Sequence, residues 1–212
     1  MGKINKNNLQ EFLKKTAILW VMIALIIVMS LISPTFLTST NLINVVKQAS
    51  ITTIIGVGMT FVLVTGGIDL SVGSIMAFAG TLAASMAVAD KNLPIIVSIL
   101  TGMAIGTLCG LINGIGVAYI GFPPFIMTLG MMTIARGIPL VYTNGTPIFG
   151  LSDSFNALAN SRILGIPTLV YYMVVICIVG YIILSKTVLG RRIYGIGAVS
   201  YTHLTLPTKL EV

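Results

Sequence analysis

Charge is the scarcest property of this sequence. Only 8% of its 212 residues are Asp, Glu, Lys or Arg, and the acidic ones number five. A soluble domain carries roughly a quarter charged residues, so this chain has too few to cover a water-facing surface and a large soluble domain is excluded. Histidine occurs once, at His203, and the two cysteines, Cys109 and Cys177, both sit inside apolar runs. That leaves neither a disulfide framework nor metal-ligand spacing, and makes the cysteines small packing residues. No G-x-x-x-x-G-K-[S/T] loop is present, so the chain cannot hydrolyse ATP by that route. A zinc pair, a nucleophile elbow and a catalytic triad are equally missing, which argues against an enzyme. The apolar runs hold no series of Asp, Glu or His that could relay protons, which argues against proton-driven transport. No small-residue cleavage site follows the first apolar stretch, which therefore reads as a retained anchor.

What is there is apolar. Hydrophobic residues make up 56% of the chain, and its mean hydropathy is +1.05. Runs near the length of a bilayer crossing recur throughout, so the pattern predicts an all-α, polytopic transmembrane helix bundle in a lipid bilayer. Six spans are expected: Ala17 to Ile32, Asn44 to Thr65, Leu70 to Val88, Ile95 to Ala118, Phe125 to Val141 and Pro167 to Leu184. Asn41 is placed to cap the second of these, and Lys47 to snorkel from its outer end. Gly66-Gly67, Asp90–Pro94 and Gly121–Pro124 break the runs, and Tyr142–Ile166 is the longest polar connection.

The formal net charge of +7 would suggest nucleic acid in a soluble protein. Here the basic residues gather at the ends: Lys3, Lys6, Lys14 and Lys15, then Lys186, Arg191 and Arg192. That is the pattern of cytoplasmic flanks, with no nucleic-acid partner implied. Six spans put both basic ends on one side, whereas fusing the second and third would put Arg191-Arg192 outside. A re-entrant break at Gly66-Gly67 stays open as an alternative. Gly102, Gly106, Gly110 and Gly114 recur every fourth position and align on one helix face. Such a stripe allows close helix packing, within one subunit in the first instance and between subunits in the second.

Polar residues inside the spans are few enough to name. Asp69 lies in Gly66-Gly67-Ile68-Asp69-Leu70-Ser71, where a glycine stop is followed by an Asp or Ser helix cap. The acid can face the positive end of the third helix, and it can equally form part of a gate at the cytoplasmic mouth; the two roles are compatible. Arg136 can snorkel to the outer interface or face a polar path through the bundle. For Asn113 and Thr128, hydrogen bonding between helices comes ahead of ligand contact.

From Gly66–Ser74 onward the sequence resembles the permeases of ribose-, xylose- and galactose-type ABC importers. The likeness continues in order through Ile112-Asn113-Gly114, Pro124–Met132, Ala135–Ile138, Val141–Pro147 and Leu164–Pro167 to Lys186–Ala198. It extends from about Pro34 to Ala198, and its strength lies in the collinearity of many short motifs. The resemblance implies a multi-pass subunit of the bacterial plasma (inner) membrane with a cytoplasmic N-terminus. Its implied partners are a second permease copy, a cytoplasmic ABC ATPase and a periplasmic sugar-binding protein. ATP and Mg would belong to the ATPase, with no cofactor in this chain. Alternating access of a monosaccharide is the implied mechanism, and Tyr142–Pro147 is most similar to ribose-type permeases. Lys186–Ala198 would begin the loop that couples the ATPase to the bundle, with Leu189, Gly190, Arg191, Arg192 and Tyr194 in contact; simple charge anchoring is the plainer reading of the same residues. Gly66, Gly67, Asp69 and Ser71 would shape the gate, and Asn113, Thr128 and Arg136 are pathway candidates.

After Ala198 the family pattern of Gly-Asn-Glu-x-Ala-Ala and further spans gives way to Val199–Thr208. That stretch is similar to a translated transposase-end adapter. Residues 1–198 are therefore expected to be the N-terminal part of a longer transmembrane domain and 199–212 a non-native tail, with a natural short tail as the alternative. Competing readings from other classes are a non-ABC secondary transporter or channel, and a membrane scaffold held by the glycine stripe.

Overall fold

The computed structural model describes residues 16–202. Lys3, Lys6, Lys14 and Lys15 at one end, and His203, Lys209 and Glu211 at the other, lie outside the described residues. The chain divides between Gln48 and Ala49 into two compact units.

In the first unit, α1 (Ala17–Ile32) is apolar all round and buries no residue, as a helix facing lipid would. It ends where expected, with the Ser33 N–H donating to Met29 O at 2.9 Å. The next helix, α2 (Ser39–Val64), starts five residues before the predicted Asn44. Thr38 takes the cap position assigned to Asn41: its carbonyl accepts from Leu42 N at 3.0 Å, and its hydroxyl accepts from Asn41 N at 3.4 Å. Asn41 instead donates from Nδ2 to Phe36 O at 2.7 Å, holding the preceding turn.

The second unit contains the rest of α2, then α3 (Val72–Met86), a 3₁₀ turn at Ala89–Lys91, α4 (Ile95–Ala118) and α5 (Pro124–Thr143). A short helix α6 (Asp153–Asn160), strands β1 (Arg162–Ile163) and β2 (Ile166–Pro167), α7 (Thr168–Lys186) and α8 (Val188–Thr202) complete it. The architecture is all-α with six apolar helices at the six expected places. Four of these, α2, α4, α5 and α7, are long and apolar enough to cross a membrane unaided, whereas α1 and α3 are shorter. At 1.5 Å per residue α3 spans about 22 Å, less than the roughly 30 Å of hydrocarbon.

That short helix is the centre of the unit. It packs on α4 and α5, and Phe78, Cys109, Met131 and Ala135 meet between the three, with Ile75, Leu82 and Ile105 against them. Cys109 is thus a buried packing residue, as its surroundings in the sequence imply.

The break between α2 and α3 is a glycine stop of the Schellman type. Gly67 N donates to Val62 O at 3.1 Å and Gly66 N to Leu63 O at 3.0 Å, while Gly66 adopts φ +80°. A side chain there carries a steric cost of about 1–2 kcal/mol, which Asn tolerates better than other residues. Gly66→Val is therefore expected to lower the thermal unfolding midpoint in detergent more than Gly66→Asn; equal midpoints would show that the turn does not need its left-handed residue.

The connection read as a polar loop from Tyr142 is more ordered than its composition suggests. Ala89 N donates to Gly150 O at 2.8 Å and Ser152 N to Ala87 O at 2.9 Å, fastening the loop to the end of α3. Tyr142 Oη donates to Ser85 Oγ at 3.1 Å beside it. Farther on, Leu164 and Gly165, at φ 52° and 81°, join β1 to β2 through the doubly left-handed turn that a two-residue hairpin favours.

Among the four striped glycines, Gly102 alone meets a neighbour, lying against Ala79 and Ala83 of α3. Gly106, Gly110 and Gly114 face open space among the described residues. Packing within the chain therefore accounts for the first and not for the other three. The close approach on α4 occurs at Gly116, where a Cβ would stand 2.6 Å from Met127 Sδ of α5.

Candidate functional site

Four of the polar residues singled out in the sequence converge at one end of α3. Asp69 Oδ1 accepts from Ser71 N at 2.7 Å and from the Ser71 hydroxyl, closing an Asx turn ahead of the helix. Ser71 is the cap residue of α3, through its carbonyl, which accepts from Ile75 N at 2.8 Å. It is fully buried. The acid thus acts through the serine: Asp69 holds Ser71, and Ser71 starts the helix.

Two neighbouring helices clamp this segment. From α4, Asn113 Nδ2 donates to Ser71 Oγ at 3.0 Å. From α5, Thr128 Oγ1 lies 3.2 Å from Ile68 O and 2.8 Å from Pro124 O, and it accepts from Leu70 N at 3.3 Å. A hydroxyl has one proton. With that of Ser71 committed to Asp69, the Asn113 amide must present its NH₂ side to the serine. The opposite atom, Asn113 Oδ1, is buried with no hydrogen-bond partner among the described residues. The result is a polar latch in which α4 and α5 each hold the chain between α2 and α3.

Arg136 stands apart from the latch. It is exposed on a groove of about 400 Å³ between α3 and α5, lined also by Leu70, Gly73, Ser74, Thr81 and Met132. The groove continues past Ala77, Thr81, Pro139 and Leu140 into a second hollow of about 570 Å³ that reaches Thr146 and Pro147. Leu70 and Gly73 place the first groove beside the latch, so Arg136 and Ser71 belong to neighbouring features joined by the start of α3. With Ser74 and Thr81 it is one of the few polar side chains on an otherwise apolar wall, able to donate to ligand oxygens.

The basic segment beyond α7 is helical. Thr187 caps α8, its hydroxyl accepting from Gly190 N at 3.2 Å and donating to Ile183 O at 2.6 Å. Leu189, Arg191, Arg192 and Tyr194 are exposed, whereas Gly190 and Gly197 are buried. A Cβ at Gly190 would meet the backbone carbonyls of Ile183 and Leu184 in the last turn of α7. One at Gly197 would meet the carbonyl of Val64 at the end of α2. The sequence reading missed Gly197, although a seven-residue spacing of two glycines marks one helix face. The α8 helix runs through position 199 to Thr202, so the expected tail boundary falls within it.

Apolar helices of spanning length, an interior latched by serine, asparagine and threonine, and an exposed basic helix define a multi-pass helical membrane protein. A sequence model of the family described as branched-chain amino acid transport system / permease component matches residues 41–200. The chain belongs to that family.

Among curated relatives, it is 44% identical over 180 residues to the ribose import permease protein RbsC of Haemophilus influenzae, covering 83% of this chain and 55% of the relative. To the RbsC of Bacillus subtilis it is 41% identical over 175 residues, 82% of this chain and 54% of that protein. The D-allose transport system permease protein AlsC of Escherichia coli is 32% identical over 191 residues, 90% of this chain and 58% of its own length. The chain thus spans a little over half the length of these relatives. No solved structure matches it significantly.

Proposed function

We propose that this chain is part of the membrane-spanning subunit of an ATP-driven importer of a monosaccharide, ribose in the first instance. The observation that carries this reading is the 44% identity, sustained over 180 residues, to a ribose import permease. In this reading a separate cytoplasmic ATPase, which holds ATP and Mg, docks on the exposed face of α8 through Leu189, Arg191, Arg192 and Tyr194. Gly190 sets that face at the end of α7. A second permease copy and an external sugar-binding protein complete the assembly, and the N-terminus and α8 share the cytoplasmic side. Asp69 and Ser71 shape the gate, with Asn113 and Thr128 holding it from the flanking helices. Arg136, on the groove between α3 and α5, contributes a cationic donor for sugar hydroxyls.

The experiment is co-expression with the ATPase and binding protein of a ribose importer, followed by purification through a tag on this chain. An ATPase that co-purifies, with ATP hydrolysis stimulated by the ribose-loaded binding protein, supports the reading. Replacing Gly190 and Arg191 together is expected to abolish that stimulation while leaving the bundle folded. Stimulation unchanged by the double substitution would refute the role of α8. An absent ATPase would favour a channel, carrier or scaffold instead.

A further inference from the structure

We propose that Gly197 is a positioning residue that ties the exposed basic helix α8 to the end of α2, and through the Gly66-Gly67 turn to the latch at Ser71. The proposal rests on the reading of α8 as the ATPase-docking helix and adds the route by which its displacement reaches the gate.

The argument begins with the face that α8 turns inward. Gly190 and Gly197 are buried, and Ile193 between them is half-buried, while the residues around them are exposed. Positions seven apart lie on one face, two turns apart, so the helix touches the bundle at two points. At the first, Gly190 sits on its own preceding helix, α7, where chain connectivity already brings the two together. At the second, Gly197 reaches an element more than a hundred positions earlier in sequence, and the atom it meets is the backbone carbonyl of Val64. A backbone atom cannot swing aside as a side chain does, so any side chain at 197 must lift α8 off α2. Gly195, on the same helix, has nothing within 4 Å of an added Cβ among the described residues, which makes it a matched control.

What lies beyond Val64 gives the contact its consequence. The Schellman bonds use the carbonyls of Val62 and Leu63 to fix Gly66 and Gly67, leaving the Val64 carbonyl facing Gly197. Three residues after Gly67 comes Leu70, whose N–H is held by Thr128, and next Ser71, held by Asn113 and Asp69. From Gly197 to Asn113 the path is one of backbone packing and hydrogen bonds. Such a chain of rigid contacts can carry coupling between two sites when its elements shift together.

The test uses the importer assembled with its ATPase and binding protein in proteoliposomes. Gly197→Ala is compared with Gly195→Ala and with Ile193→Ala, which thins the same face without adding bulk and so cannot clash. Assembly is read by ATPase co-purification and folding by monodispersity. Coupling is read by ribose-stimulated hydrolysis and by the nucleotide-dependent labelling of a thiol introduced as Ile68→Cys. Gly197→Ala is expected to keep the ATPase bound while losing stimulation on the order of tenfold, with Ile193→Ala losing about two- to threefold. In both, the nucleotide-dependent change at position 68 shrinks in step; Gly195→Ala behaves as the parent. Should Gly197→Ala fail to assemble, Ile193→Ala decides: parental stimulation and labelling in that variant overturn the proposal. Parental coupling in an assembled Gly197→Ala overturns it directly. An ATPase that does not bind the parent overturns the docking reading, a different failure.

Discussion

Replacing Asn113 by aspartate is expected to damage this protein far more than replacing it by alanine, although aspartate is the closer match in shape. The reason lies in the direction of the hydrogen bonds around Ser71. Its hydroxyl proton is given to Asp69, so the group beside it on α4 must donate, and the Asn113 amide does so at 3.0 Å. Alanine removes one hydrogen bond, about 1 kcal/mol, and at the same time removes the unpartnered Oδ1. Aspartate offers the serine only acceptors and adds a buried carboxylate without a counter-charge, a cost of about 3–5 kcal/mol. Thermal unfolding in detergent, followed by the reactivity of the buried Cys109 thiol toward a maleimide dye, would rank the variants. The expected order of midpoints is parent, Asn113→Ala, then Asn113→Asp well below. Asn113→Asp at or above Asn113→Ala would mean that the amide does not point its NH₂ at Ser71.

The second large effect is expected at Gly116, a position outside the four-residue glycine stripe on its helix. A Cβ there would lie 2.6 Å from Met127 Sδ and 2.8 Å from Cε. Gly116→Ala asks only that an adaptable methionine move. Gly116→Val forces apart α4 and α5, the two helices that hold the latch, at a cost of about 1–3 kcal/mol. Combining it with Met127→Ala should recover part of the loss, because the obstructing side chain is then gone. By contrast, Ala at Gly106, Gly110 or Gly114 meets no neighbour among the described residues and is expected to gain up to about 1 kcal/mol each in helix propensity. If those three face a second subunit, alanine there weakens assembly while the single chain gains stability. Unfolding midpoints and particle size measured on the same samples separate the two effects. A Gly116→Val variant as stable as the parent would remove the close approach.

The positions of helices were legible because apolar runs interrupted by Gly-Phe-Pro-Pro, Gly-Gly and Asp-Lys-Asn-Leu-Pro segments have few other readings. The first helix begins and ends at the expected residues, as does α4. The start of α2 was not, because Thr38 and Asn41 are both competent caps and only the backbone geometry of the turn chooses between them. Asp69, Ser71, Asn113 and Thr128 could be picked out as polar residues in apolar surroundings. Their meeting could not, since residues 42 positions apart on two helices carry no mark of their contact. Arg136 shows the limit from the other side: an intramembrane charge is conspicuous in sequence, yet it lies on a groove beside the latch and not in it. The glycine stripe is regular, but close approach depends on what stands opposite, and Gly116 and Gly180 meet the side chains of Met127 and Val57, which no periodicity reveals.

The largest fully buried side chains among the described residues are three serines, Ser50, Ser71 and Ser98, while dozens of Leu, Ile, Val and Met side chains lie outward. In a water-soluble protein the oil is inside and fixes the fold; here it is the coat, and the coat is interchangeable with its solvent. Beside the small apolar centre at Phe78, Cys109, Met131 and Ala135, the specification of the fold is carried by a few hydroxyls, amides and glycines, and the outward residues have more freedom to vary among apolar types. By the same logic the coat can be rewritten. Apolar-for-apolar exchanges on the outward faces of α5 and α7 are expected to change the unfolding free energy by no more than about 0.5 kcal/mol each.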